Sequence, residues 1–137
     1  MITRRDALAG SPFLLLLQIA LRAQSPAGSA AQAPVFQHDL PNLTMEDWQV
    51  TVSEIHEAPG QVGKPHHHPG FVLVYVLEGE VVAKISGGPE KTYKPGEMFY
   101  EYPGSTHEVS RNASATKPAR FLAFIFAKKG LPLTTPA

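Results

Sequence analysis

Short apolar or β-branched runs separated at regular intervals by Gly and Pro constrain this chain more than any other feature. From Asn42 onward no helical stripe interrupts them. The runs at Trp48 to Ile55, His66 to His68, Phe71 to Leu77, Glu80 to Ile85, Glu97 to Tyr102, His107 to Arg111 and Arg120 to Ala127 are expected strands. Turns are expected at Pro59-Gly60, Glu78-Gly79, Ser86-Gly87-Gly88-Pro89, Pro95-Gly96 and Pro103-Gly104. This spacing predicts an all-β sandwich or small barrel. At 137 residues there is room for one such domain with its own core, and not for two of ordinary size.

Phe71 to Leu77 and Phe121 to Phe126 are apolar on both faces instead of alternating, so each must be covered on two sides. One face lines the interior. The other calls for a second sheet, a helix or another subunit, and a homodimer is the simplest cover, with a self-contained sandwich core as the alternative.

Composition excludes several classes. Twelve Lys and Arg balance twelve Asp and Glu, so there is no basic field to attract nucleic acid, and none is expected as a partner. The chain has no cysteine, which removes disulfides, iron-sulfur clusters and thiol nucleophiles, and any bound metal must rest on nitrogen or oxygen.

The N-terminus reads as an address. Arg4 and Arg5 precede an apolar run, Phe13 to Leu17 and on to Leu21, that is too short to span a bilayer. Ala31-Gln32-Ala33 offers a cleavage site before Pro34, and a cut after Ala23 is an alternative. Thr3 to Leu8 resembles a twin-arginine export signal with Ala7 where that pattern carries Phe; ordinary secretory export and an uncleaved membrane anchor are the other readings. Residues 1–33 are therefore assigned to signal and linker and 34–137 to the domain. Removing the first segment leaves nine basic and eleven acidic side chains. The expected location is periplasmic or extracellular, with no stable membrane span after processing.

His66 and His68 are one residue apart, so on an extended strand both project from one face while His67 points to the other. A metal can take both at once. His107, after the Pro103-Gly104 turn, is the candidate third ligand from a distant strand. Three neutral imidazoles suit one divalent ion (Fe(II), Zn, Ni, Cu or Mn) and leave positions open for water, substrate or dioxygen. The alternative is an incidental exposed His tract. His38 and His56 read as ordinary surface or core residues.

These residues resemble the cupin family. Gly60 through His66-His67-His68 to Gly79 is similar to the first cupin motif, and Pro95-Gly96-Glu97 through Pro103-Gly104 to His107 to the second, with Asn112 one residue beyond that motif's usual Asn. The resemblance spans about residues 60 to 112 and implies a double-stranded β-helix, a small jelly-roll-like barrel. One departure matters: Val72 stands where the pattern carries a Glu ligand. The remaining three-His set resembles the iron site of thiol dioxygenases, which puts Fe(II) first and implies an electrophilic metal that favours an anionic or chelating small molecule.

Val72, Val74 and Val76 are expected as an apolar wall beside the metal or as plain core. On the strand before the third ligand, Glu101 and Tyr100 point to opposite faces, and the sequence does not say which looks inward. An inward Glu101 could replace the missing ligand or act as acid or base; an inward Tyr100 could orient a substrate oxygen. Glu97 reads as a turn residue. The functions implied are a metal-dependent enzyme of dioxygenase type, a metal-dependent isomerase, cyclase or lyase, or a non-catalytic binding module. A metal-free interaction barrel is the remaining class.

Overall fold

The computed structural model describes residues 33–137. The signal and linker assigned to residues 1–33 lie almost wholly outside the described residues. Nine strands follow in order: β1 (Trp48–Glu57), β2 (His66–His67), β3 (Phe71–Glu78), β4 (Val81–Ile85), β5 (Lys91–Tyr93), β6 (Met98–Glu101), β7 (Thr106–Asn112), β8 (Ala119–Lys128) and β9 (Thr135–Pro136). Among the described residues no helix is long and apolar enough to cross a membrane.

The strands form two antiparallel sheets, one four-stranded in the order β1-β8-β3-β6 and one five-stranded in the order β5-β4-β7-β2-β9. Six of the seven expected runs lie within one residue of the observed bounds. The seventh, β1, continues to Glu57. Strands β5 and β9, three and two residues long, were not expected, because segments this short carry no period to read.

The two strands that are apolar on both faces, β3 and β8, pair with each other at the centre of the four-stranded sheet. Their inward residues Val72, Val74, Val76, Phe121, Ala123 and Ile125 meet Val81 and Ala83 of the opposite sheet to form the core. Each fully buried Val there stabilises the fold by about 1.5–3 kcal/mol. At the outer start of β3, Phe71 stacks on its cross-strand partner Phe126, with ring centroids 4.6 Å apart, and Trp48 lies over it at 6.0 Å.

Gly70 marks the tightest approach. A Cβ there would sit 1.9 Å from the carbonyl oxygen of Phe126, so only glycine lets the chain leave β2 and enter β3 against β8. Asn112 is a second fixed point, 4% exposed. Its amide nitrogen bonds the carbonyls of Glu57, Ala58 and Lys117, and its oxygen accepts from the Ser114 N–H. The Asn112-Ala113-Ser114 tripeptide, a sequon by pattern, is thus occupied internally. Glu97 is a turn residue as expected, its carboxylate accepting from the Lys94 N–H at 2.8 Å.

Candidate metal centre

His66 and His107 are direct partners in the β2–β7 ladder, and residues opposite each other in an antiparallel pair share a face. Their rings lie 4.9 Å apart, and the His68 ring stands 5.0 Å from that of His66. The three imidazoles therefore converge from one sheet. His67 points the other way, its Nδ1 3.1 Å from the Ser105 carbonyl oxygen.

His107 reaches the interior through a β-bulge. The register of β7 against β4 runs Lys84 to Val109 and then Ile85 to His107, so one residue is skipped. In an unbroken strand His107 and Ser110 would face opposite sides. The extra residue lets both of them, and Asn112, turn inward and become buried.

The opposite sheet supplies a carboxylate. Glu101, on β6, points inward and is 3% exposed. Its oxygens lie 3.7 Å from Nε2 of His68 and 3.3 Å from Nδ1 of His107. Ligand atoms of His66, His68 and Glu101 all fall within 4.8 Å of one another, which makes these three residues a group able to hold a metal ion. Of the two orientations open for Glu101, the structure has the inward one, beside the histidines. Glu101 is the direct ladder partner of Val72, so the anionic group comes from the neighbouring strand at the level where the sequence lacks it.

The donor set fits a divalent cation. Nδ1 of His66 is 2.8 Å from the Lys64 carbonyl oxygen and Nδ1 of His68 is 2.7 Å from that of Leu133. Each contact holds the proton on Nδ1 and leaves Nε2 as the free lone pair, the outer support that metal-binding histidines require. Burial is the main reason the His66 imidazole is held below its ordinary pKa, with the nearby His107 and His68 rings adding to it, so the ring stays neutral and able to ligate. His107 lies outside that trio, but its Nε2 is buried without a hydrogen-bond partner among the described residues, which makes it a candidate further ligand.

The group lies in a cavity of about 340 Å³ walled by Ile55, Val74, Phe121, Ala123, Ile125 and Leu133. Of the expected apolar wall, Val74 lines this cavity, whereas Val72 and Val76 are fully buried in the core. Tyr100 is not brought to the histidines. It faces the outside of β6, its ring 4.3 Å from that of His38, beside a separate cavity of about 570 Å³. Burial there pushes its hydroxyl pKa up. His56 is exposed and pairs with Glu54 at 3.2 Å.

Sequence reading missed Glu57 and Ser110, both buried and both lining the metal cavity. Glu57 continues the inward alternation Ser53, Ile55, Glu57 of β1, a signal lost when the strand is ended at Ile55. Ser110 is hidden by the bulge.

A model of the cupin domain matches residues 53–125, more than half of the chain, and the protein belongs to the cupin family. No curated protein matches it. Among solved structures, one that is similar is an uncharacterized conserved protein with a double-stranded β-helix domain from Klebsiella pneumoniae. It is 23% identical with a TM-score of 0.52, covering 79% of this chain and 97% of that one. Another is the DMSP lyase DddQ from Ruegeria pomeroyi, 18% identical with a TM-score of 0.56, covering 64% of this chain and 43% of the lyase. A third is Bacillus subtilis oxalate decarboxylase, described with Mn(II) centres, 21% identical with a TM-score of 0.52 over 64% of this chain and 23% of the enzyme. At these identities the likeness establishes the double-stranded β-helix, and the chain spans less than half of the length of either enzyme.

Proposed function

We propose that this cupin is an exported enzyme that binds one divalent metal through His66, His68, Glu101 and His107 and acts on a small, oxygen-chelating molecule. The observation that carries the reading is the inward trio His66, His68 and Glu101, placed with His107 at the wall of a cavity that Ile55, Val74, Phe121, Ala123, Ile125 and Leu133 also line. When bound, the metal supplies Lewis-acid polarisation of a substrate oxygen. The chain's own groups do the rest. His66 and His68, fixed by carbonyls, orient that centre; the apolar walls exclude water; Glu101 balances the cation's charge.

The carboxylate shifts the balance of reactions toward redox-neutral lyase or decarboxylase chemistry, since a mixed imidazole and carboxylate set suits Mn, Fe, Ni or Zn and lowers the charge that a three-His iron site would carry. The names of the two similar enzymes, a lyase and a decarboxylase, agree with this reading. An Fe(II)-dependent dioxygenase is the second reading, supported by the third imidazole, His107. Export rests on the N-terminal sequence and would place the protein in the periplasm or outside the cell. A homodimer rests on the outer face of the four-stranded sheet, where Val50 and Val52 are each 51% exposed.

Metal analysis of protein from its native compartment, followed by oxygen uptake of the iron-loaded form, tests the reading. Stoichiometric metal lost in His68→Ala supports it. Oxygen uptake with a small chelating acid moves it to the dioxygenase, and protein that never holds metal ends it.

A further inference from the structure

Glu57 lies outside the group of His66, His68 and Glu101, yet its side chain shares their cavity. It is 3% exposed and extends the inward row Ser53, Ile55, Glu57 at the edge of the four-stranded sheet. Its only side-chain partner among the described residues is the Ser110 hydroxyl, which donates to Oε1 across a long 3.4 Å. Oε2 is buried with no partner. A carboxyl oxygen shut away from water without a donor is costly, so this one calls for a partner from within the cavity.

The remainder of the cavity gives the ligand its outline. The cavity that holds Glu57 also holds His66, His68, His107 and Glu101. Ile55, Phe121, Ala123 and Ile125 line it as well, side chains that offer contact but no hydrogen bonds. The cavity of about 340 Å³ has the size of a small-molecule site.

Resting on the metal-centre reading above, we propose that Glu57, backed by Ser110, is a specificity-determining residue that receives the hydrogen-bond-donating end of a short bifunctional acid. The acid's carboxylate would meet the metal and its hydroxyl or ammonium end would meet Oε2. Burial raises the Glu57 pKa above its ordinary value, and the Ser110 hydrogen bond opposes the shift.

The experiment uses the full chain loaded with Mn(II) and follows displacement of metal-bound water by proton relaxation. The probes are straight-chain carboxylates of three, four and five carbons in alkyl, ω-hydroxy and ω-amino forms. At the best-fitting length a donor-tipped acid is expected to bind about tenfold tighter than its alkyl counterpart. Glu57→Leu should erase the preference, while Glu57→Gln, which keeps a neutral acceptor, should retain it for the hydroxyl form only. The proposal is overturned if the wild-type protein prefers no donor-tipped acid at any length, a comparison that needs no variant to fold, or if Glu57→Leu keeps the preference. A chain that takes up no Mn(II) overturns the metal-centre reading as well, whereas uptake without the preference overturns this proposal alone.

Discussion

Val72 and Glu101 are direct partners in the β3–β6 ladder, and this pairing places a carboxylate where β3 itself presents only a methyl-bearing side chain. Residues opposite each other in an antiparallel ladder share a face, with Cβ atoms about 5 Å apart. A Glu side chain spans that gap. The carboxylate thus comes from the neighbouring strand, with its carboxyl group inside the barrel, close to both His68 and His107.

Exchanging the pair tests whether position or identity matters. Glu101→Gln keeps the shape, removes the charge and should weaken Mn(II) or Zn(II) binding about 100-fold or more, the loss associated with removing even an indirect support of a metal site. Val72→Glu combined with Glu101→Val should recover most of the affinity, because it returns one carboxylate to the same level of the ladder. Competition against a chromophoric chelator reads both. Unchanged affinity in Glu101→Gln would remove Glu101 from the ligand set.

The Leu133 carbonyl contributes from outside the site. It fixes His68 through Nδ1 at 2.7 Å, and the following strand β9 pairs with β2. Ending the chain after Gly130 removes both. His66 keeps its pairing with His107, so the sheets should remain, but the His68 ring is freed to rotate. Metal affinity is expected to fall about 10–100-fold with the far-ultraviolet circular dichroism unchanged. An unaltered affinity would show that the carbonyl does not orient His68.

Proton competition at the centre follows from the direction of the His66 shift. Burial lowers its pKa below the ordinary 6.5, so the folded apo-protein resists protonating this ring. Metal binding requires the neutral form. Affinity should be flat above pH 6.5 as far as His66 is concerned and should fall only as the pH drops below that value. The same group destabilises the folded apo-state on acidification, because the unfolded chain takes up the proton first. Metal titrations between pH 5 and pH 8 check this, and a decline beginning above pH 6.5 would contradict it.

Glu57 acts in the opposite sense. Its pKa is raised from 4.5, chiefly by burial, so the folded state binds its proton more tightly than the unfolded chain does. The stability from this group is fully present below about pH 4.5 and is lost as pH rises through the folded value. Wild-type stability relative to Glu57→Gln should therefore decline from acid toward neutral pH and then level off. Urea unfolding of both proteins over that range measures the difference; a relative stability that rises with pH would show that the charged form is the favoured one.

How far the sequence could be read follows from which signals are local. The period of two in His66 and His68, and the glycine turns around them, exposed the all-β fold and the imidazole pair directly. The inward face of β6 was not decidable, because Met98, Phe99, Tyr100 and Glu101 carry no clean alternation of apolar and polar residues. Only the pairing with β3 settles that Glu101 looks in and Tyr100 out. Ser110 was out of reach for a different reason: the bulge after His107 breaks the parity by which its face would be deduced.

The outer face of the four-stranded sheet carries the last expected outcome. Val50 and Val52 of β1 lie opposite Phe126 and Phe124 of β8, and together they leave apolar surface toward solvent on the side away from the core. A second copy placed against this face would cover the same strip on both partners, as two-fold symmetry requires. Light scattering on the purified protein should give twice the chain mass. Val52→Lys sets two like charges against each other across the axis, costs little in the isolated subunit because the position is 51% exposed, and should shift the protein to monomer while its metal content is unchanged. A wild-type protein that is monomeric at all concentrations would leave this face without the partner assigned to it, and a dimer indifferent to Val52→Lys would place the contact elsewhere.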